Sequence, residues 1–199
     1  MRLPLAITSF LTVAGPAGAQ EIASAYTELN PMRDCTVYAS AAEGDGDWSN
    51  LVCSGYKGFP VFIHCSDARE SLFYGFPPQG RDLAWESFSA FNNAGPKIEW
   101  RVERDGTGEK PFAAIHRWFV SANPEEPDRQ IEVLVVHKVG RIGEWQGCAV
   151  GYVVATGNRD ANAQARRIAD DKARSFACGS DQPVTAASSI PLPDFTRSE

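Results

Sequence analysis

The feature that most constrains this chain is its set of five cysteines, none of which lies in the first 34 residues. No C-x-x-C or H-x-x-x-H pair is present, so the ligand spacing of a structural zinc site is missing. Disulfides are therefore favoured if the chain reaches an oxidising compartment. An odd number leaves one thiol unpaired. The five residues are Cys35, Cys53, Cys65, Cys148 and Cys178.

The N-terminus predicts that the chain is exported. Arg2 is the only charge in the first 20 residues, residues 3–15 form a short apolar block, and an A-x-A sequence follows. We therefore expect a signal peptide over residues 1–19, cleaved after Ala19, and a periplasmic or secreted mature protein. The alternative, a buried N-terminal helix, is disfavoured by Pro4. The apolar block is shorter than the roughly 20 residues that span a bilayer.

Charge and length limit the classes of partner and the domain organisation. The chain holds 19 Lys and Arg against 25 Asp and Glu, and loss of Arg2 with the leader makes the net charge about −7. Without a basic cluster, neither nucleic acid nor an anionic membrane surface is an expected partner. We expect no membrane span. The length suits a single domain over residues 20–180, and the polar tail over 181–199 is expected to be disordered.

Four apolar runs predict an antiparallel meander. In IEWRVER, at residues 98–104, Ile98, Trp100 and Val102 fall on one face and charged residues on the other. This alternation indicates a half-buried strand, one face of which needs a cover. Polar or Gly-containing turns separate it from the other three runs. These lie at 111–120, 130–139 and 148–156.

The segment after the last strand predicts that cover. Asn158 or Asp160 is a suitable N-cap for a helix that runs to about Phe176. The apolar residues of this helix are mostly alanines within one arc of about 100°, which allows close packing on a sheet. They are Ala161, Ala165, Ile168, Ala169 and Phe176. The predicted fold is α+β: an antiparallel β-sheet (meander) covered by a C-terminal α-helix and supported by disulfides.

Adjacency of the predicted elements favours two disulfides, although spacing alone does not decide connectivity. Cys148 begins the last strand and Cys178 lies just beyond the helix, so this pair would hold the helix on the sheet. A second bridge, Cys35–Cys53, would link the first two strands. Cys65 then remains a free thiol.

The N-terminal half is harder to interpret. Residues 35–40 predict a strand, 51–67 predict two short strands around a Gly-Tyr-Lys-Gly turn, and 69–76 predict another. Residues 79–97 contain large aromatic residues between turn residues, and both a short helix and irregular structure stay open.

The sequence contains candidate nucleophiles, but none of them belongs to a complete catalytic motif. Ser54 and Lys57 match the S-x-x-K pattern of penicillin-recognising enzymes, but the S-D-N and K-T-G elements are missing. Neighbours on a strand point to opposite faces, so His64 does not readily activate Cys65. Lys172 lies in the apolar arc of the helix. Its amine either reaches solvent or is buried as a base or nucleophile.

The histidines and one acidic loop are the candidate metal ligands of the sequence. His64, His116 and His137 follow apolar runs on predicted strands and would have to converge to bind zinc. An acidic loop at residues 43–47 lacks the Gly and Glu positions of an EF-hand. Packed histidines and a solvated loop are the commoner structures, so we predict no metal and no cofactor.

Six segments carry a resemblance to a known group. They are SAYTEL, CSGYKGFPV, DARESLFYG, IEWR, PFAAIHRW and CAVGYVVATGNRDANAQARRIADDKARSFACG. In this order they resemble a group of small exported proteobacterial proteins without assigned function. The resemblance covers most of the mature chain and implies an extracytoplasmic, disulfide-supported domain. It implies no catalytic or ligand residues, and Cys65 is an addition to the pattern.

We therefore expect an exported, non-enzymatic binding protein, with a protein or a small ligand of the cell envelope as partner. A shallow exposed apolar patch near Tyr56–Phe59 or near Trp85–Phe91 would mark its site, with Tyr56, Phe59, Trp85 and Phe88 as the candidate residues. The alternative is an extracytoplasmic hydrolase or thiol enzyme. It would require a deep pocket that brings Cys65 to a histidine, or Lys172 to a carboxylate.

Overall fold

The computed structural model describes residues 21–78, 82–105, 108–123, 126, 129–143 and 146–198. The predicted signal peptide lies outside the described residues, so its cleavage stays a prediction. The elements are β1 (Glu21–Glu28), α1 (Pro31–Asp34), β2 (Cys35–Ser40), β3 (Ser49–Cys53), β4 (Val61–Ser66), β5 (Arg69–Tyr74), β6 (Trp85–Phe88), β7 (Asn92–Asp105), β8 (Gly108–Ser121), β9 (Gln130–Lys138), β10 (Cys148–Val154), α2 (Ala161–Lys172), β11 (Val184–Thr185) and β12 (Phe195–Ser198).

The central layer is a six-stranded sheet in the order β1-β7-β8-β9-β10-β11. The strands β7 to β10 pair antiparallel in chain order, so the predicted meander is present. At the edges, β1 pairs antiparallel with β7 and β11 pairs parallel with β10. Strands account for 52% of the structure, which makes it more β-rich than the sequence suggested.

The helix α2 covers one face of the central sheet, as predicted. Small side chains let it approach closely, and Gly151 of β10 lies under it: a Cβ there would stand 2.8 Å from Cγ2 of Ile168. The helix ends at Lys172, one turn before the predicted Phe176. Its buried face and the turn beyond it contribute Ala161, Ala165, Ala169, Ala173 and Phe176 to the core.

The other face of the central sheet is covered by a four-stranded antiparallel sheet in the order β2-β3-β4-β5. Trp100 and Trp118 of the central sheet share one apolar cluster with Ile63 and Tyr74 of this second sheet. A separate cluster lies under the helix. The molecule thus has three layers, and the central sheet is covered on both faces rather than on one.

The charged side of β7 is buried as well. Alternation in the sequence placed Glu99 and Arg101 on an outer face, but each is less than a tenth exposed because α2 lies over them. Arg166 of α2 brings its Nε to 2.6 Å from Oε1 of Glu99. Ion pairing with the helix therefore replaces the expected contact with water.

Two segments, one in the middle of the chain and one at its C-terminus, also differ from the prediction. Residues 82–97 contain β6 and the start of β7, instead of a helix or irregular structure, and the predicted disordered tail carries β11 and β12. Strand β12 pairs antiparallel with β6. The physical reason is Phe195, whose ring centroid lies 4.9 Å from that of Phe88 and 4.8 Å from that of Tyr152. The packing of this one aromatic side chain therefore orders a C-terminal tail that is mostly polar.

Both predicted disulfides are present. Cys35 and Cys53 are direct register partners on β2 and β3, and Cys148 of β10 is bonded to Cys178 beyond α2. Cys65 is the free cysteine. One bridge therefore lies within the four-stranded layer, and the other joins the helical layer to the central sheet.

Within the described part of the chain, no helix has the length and apolar character needed to cross a membrane.

Candidate functional site

A cavity of about 460 Å³ lies where the β4–β5 hairpin meets the start of β7 and the junction of β8 with β9. We call it the Glu70 cavity, after a carboxylate in its lining. The hairpin supplies one wall and the first residues of β7 supply another. The lining includes Cys65, Glu70, Phe91, Asn92, Asn93 and Gln130.

A two-residue turn shapes the hairpin wall. Asp67 and Ala68 have φ angles of 52° and 53°, in the left-handed region. Two such residues are typical of a type I′ turn, which suits the twist of a two-residue hairpin. The carbonyl of Ala68 accepts a hydrogen bond from the N–H of Asn92 at 3.2 Å. The turn is thereby fixed against β7.

Glu70 projects to the same side of its sheet as Cys65, its register partner on β4. Its Oε2 accepts a hydrogen bond from the N–H of Ala94 at 2.7 Å. Burial raises the pKa of this carboxyl, and the Ala94 hydrogen bond opposes the rise. Among the described residues, no lysine, arginine or histidine forms an ion pair with it.

The thiol of Cys65 is half-buried in the same cavity. Burial raises its pKa first, the neighbouring Glu70 raises it further, and a hydrogen bond with Ser49 lowers it. A protonated thiol at neutral pH is the opposite of what a cysteine nucleophile requires.

The histidines do not complete a site with this thiol. His64 lies on the other face of β4, where its Nε2 is 2.7 Å from the hydroxyl oxygen of Tyr38. Within the described lining of the Glu70 cavity there is no histidine. The Cys–His pair that the enzyme alternative requires is therefore not assembled here.

Asn92 fixes the wall opposite the hairpin. Its Oδ1 accepts a hydrogen bond from the N–H of Glu70 at 3.2 Å, and its Nδ2 donates to the carbonyls of Phe88 at 3.2 Å and Ala90 at 2.8 Å. One side chain thus ties β5 to the β6–β7 turn. The sequence did not single out Glu70 or Asn92, because neither belongs to a motif and their contact joins separate strands.

Three further lining residues bring an aromatic ring and charge to the cavity. Phe91 is 49% exposed, and Asp47 comes from the exposed loop between β2 and β3. Arg69 has its Nη2 3.4 Å from Oδ2 of Asp67, in the hairpin turn. The cavity therefore offers polar groups on its walls and an accessible ring.

The other two histidines lie in the core. Nε2 of His116 donates to the carbonyl of Gly95 at 2.6 Å, which leaves its Nδ1 to accept from the Tyr74 hydroxyl at 2.7 Å. Nε2 of His137 stands 4.0 Å from Oε2 of Glu86. Burial lowers the pKa of His116 to about 4 and that of His137 to about 3, so both rings are neutral.

No set of three or more His, Cys, Asp or Glu side chains in the described part of the chain is placed to hold a metal ion. The acidic residues considered for calcium, Glu43, Asp45 and Asp47, are exposed in the loop that follows β2.

The four aromatic residues predicted to bind a partner are engaged within the fold or buried. The Tyr56 hydroxyl donates to Glu109, Phe59 packs on Phe76, and Trp85 is half-buried on β6. Phe88 is fully buried, with its ring 5.7 Å from that of Trp118. Phe88 therefore belongs to the core, where a partner does not reach it.

Lys172 is exposed at the end of α2. This outcome matches the interpretation in which its amine reaches solvent.

A second cavity, of about 170 Å³, lies beside the end of the helical layer. Its cations serve the fold: Nζ of Lys138 donates to the carbonyl of Phe176 at 2.8 Å. Arg141 and Arg174 stand 3.7 and 3.3 Å from the carboxylate of Glu103. These contacts secure the chain beyond α2, so the Glu70 cavity is the better candidate site.

Comparison with known proteins adds no assignment: no family model, no curated protein and no solved structure matches this chain. The resemblance to exported proteobacterial proteins stays a prediction. Function is therefore inferred from the Glu70 cavity.

Proposed function

We propose that this chain is an exported, non-enzymatic binding protein that holds a small ligand in the Glu70 cavity. The observation that carries the proposal is the cavity itself, of about 460 Å³. Sites for small molecules typically occupy about 300–1,000 Å³ and combine apolar surface with a few placed polar groups. Phe91 supplies the ring, and Glu70 and Asn93 supply polar groups.

The walls of the cavity are built before any ligand arrives. Asn92 is buried and its amide is fully engaged, and the hairpin turn is hydrogen-bonded to the same residue. A preformed site loses little binding free energy to the ordering of side chains. This rigidity supports a binding role.

The enzyme alternative has less support. A cysteine nucleophile needs a base within hydrogen-bond reach, and the histidine next to Cys65 in sequence contacts Tyr38 on the opposite face. Lys172 is exposed rather than desolvated. Export itself is supported by the two disulfides, because such bonds persist in oxidising compartments.

The test is ligand screening on the mature, oxidised protein by two-dimensional NMR with a library of small polar metabolites. We expect chemical-shift changes to cluster at Glu70, Asn93 and Gln130. In Gln130→Trp, an indole placed at the lining should block binding. Asn162→Trp, at an exposed position of α2, is the matched control and should bind normally.

Two results would contradict the proposal. One is shift changes that map elsewhere, for example to the exposed Val37 and Tyr38 of β2. The other is turnover of ester or peptide substrates that is lost in Cys65→Ser, which would establish the thiol enzyme instead.

A further inference from the structure

We propose that the Glu70 cavity binds a small organic cation that carries a primary amine or guanidinium group. This inference rests on the proposed function and names its ligand class. It starts from the carboxylate of Glu70, which lines the cavity and forms no ion pair among the described residues.

Glu70 is half-buried, and three more deeply buried glutamates of this protein differ from it in having an ion pair. Glu86, Glu99 and Glu103 have side chains at most 11% exposed, and each has an arginine partner within 3.3 Å. The partners are Arg197, Arg166 and Arg174. This fold therefore supplies a guanidinium to carboxylates that it shields from water. At Glu70 it supplies a backbone N–H and an open cavity instead.

An ammonium or guanidinium group would complete this arrangement. The N–H of Ala94 occupies one lone pair of Oε2, and a carboxylate has about four acceptor positions. Charge-assisted hydrogen bonds from N–H to carboxylate are about twice as strong as neutral ones. An anionic ligand would meet a like charge in a partly desolvated site.

The neighbours of Glu70 agree with a cation. Asp47 adds a second carboxylate to the lining, and the accessible ring of Phe91 offers a face for a cation or for its aliphatic chain. Arg69 is the one cationic side chain in the described lining; its Nη2 lies 3.4 Å from Oδ2 of Asp67, and its buried Nε has no hydrogen-bond partner among the described residues. The acidic protein as a whole attracts cations toward the opening.

The experiment uses NMR titration of the mature, oxidised protein with three four-carbon probes that differ in charge. Putrescine is the cation, 1,4-butanediol the neutral analogue and succinate the anion, and agmatine adds a guanidinium. We expect putrescine and agmatine to shift the resonances of the Glu70 cavity, with affinities at least tenfold above those of the other two probes. Sodium chloride should weaken both cations.

Variants identify the carboxylate that binds. Glu70→Gln keeps the acceptor for Ala94 and should weaken agmatine about tenfold or more, as expected for loss of a charged hydrogen bond. Glu28→Gln, an exposed carboxylate on β1, is the matched control and should leave binding unchanged. Phe91→Ala, at an exposed ring, should weaken agmatine several-fold and covers the case in which Glu70→Gln does not fold.

The outcomes separate this inference from the proposed function. Equal or tighter binding of succinate or butanediol in the cavity would overturn the cation and leave the binding function standing. Agmatine binding that is unchanged in Glu70→Gln, or absent altogether, would also overturn the cation. The metabolite library tests separately whether the cavity binds small molecules of any charge.

Discussion

Arg101 of β7 and Asp170 of α2 form a bidentate ion pair between the helix and the central sheet. Nη2 of the arginine lies 2.7 Å from Oδ2 of the aspartate, and Nε lies 2.8 Å from Oδ1. The arginine also donates to Ser24 of β1. The arginine side chain is only 10% exposed. The pair therefore fixes the position of the helix over the sheet through one planar contact.

Removing Asp170 should destabilise the protein, because Arg101 is then buried without its ion-pair partner. In Asp170→Ala the guanidinium of Arg101 stays under the helix without its carboxylate, so we expect a loss of about 2–3 kcal/mol in the free energy of unfolding. Asp171→Ala, an exposed neighbour on the same helix, should change it by less than about 0.5 kcal/mol. Urea unfolding at pH 7 measures both. Equal effects would mean that the pair adds nothing beyond a surface charge.

The bridge between Cys148 and Cys178 closes a loop with a sequence separation of 30 residues. Replacing both cysteines with alanine should reduce the free energy of unfolding by about 3–4 kcal/mol.

Thiol counting on the denatured native protein should find one free thiol before reduction and five after it. A count of three or more before reduction would contradict the two-bridge structure.

Ala68 sits at φ 53° in the hairpin turn, where a Cβ is strained. The left-handed region costs a non-glycine residue about 1–2 kcal/mol, and glycine loses part of that gain to its greater entropy in the unfolded chain. We expect Ala68→Gly to stabilise the protein by about 0.5–1 kcal/mol in thermal or urea unfolding. Ala90→Gly, outside the left-handed region, is the control. Destabilisation by Ala68→Gly would show that the turn is relaxed with alanine.

The core histidines predict a dependence of stability on pH. Their pKa values of about 3 for His137 and about 4 for His116 lie below that of an unfolded histidine, about 6.5. Between these values the unfolded chain binds more protons, so stability falls as pH is lowered from about 6.5, by up to about 1.4 kcal/mol per pH unit for each ring. The raised pKa values of Glu70 and Glu86 oppose part of this loss.

The comparison of His137→Phe with the native protein isolates one of these rings. Phenylalanine preserves a ring next to Tyr74, whose centroid is 4.9 Å from that of His137. Unfolding free energies measured at pH 7, 6 and 5 should fall less steeply in the variant. Parallel curves would mean that His137 takes up a proton in the folded state as easily as in the unfolded one.

Glu70 should cost the protein stability when no cation is bound. Burial raises its pKa, so ionisation of this carboxyl costs more free energy in the folded chain than in the unfolded chain. We expect Glu70→Gln to be more stable than the native protein at pH 7, and the difference to shrink at pH 4, where the carboxyl is protonated. Scanning calorimetry at both pH values measures this. A loss of stability at pH 7 would show that the negative charge is satisfied within the fold.

The parts of the fold that the sequence predicted are those set by neighbours along the chain. Cys148 and Cys178 flank a strand and the helix that directly follows it, so their contact follows from local connectivity. The same holds for the meander, in which consecutive strands pair across short turns.

The parts that could not be predicted depend on contacts between distant segments. Glu99 and Arg101 follow the pattern of a solvent-facing strand side, and only the charges of α2 explain their burial. Phe195 is one aromatic residue in a polar tail, and its effect depends on Phe88 and Tyr152. Glu70 and Asn92 belong to no sequence motif, and their roles follow only from the contact between their two strands beside the cavity.

The pairing of β1 with β7 and of β12 with β6 joins segments far apart along the chain. Closing such long loops before any contact is gained is entropically costly, and proteins dominated by distant pairings fold in milliseconds to seconds rather than in microseconds. Under the proposed export, slow folding of this kind would keep the polypeptide extended for passage through a translocation channel.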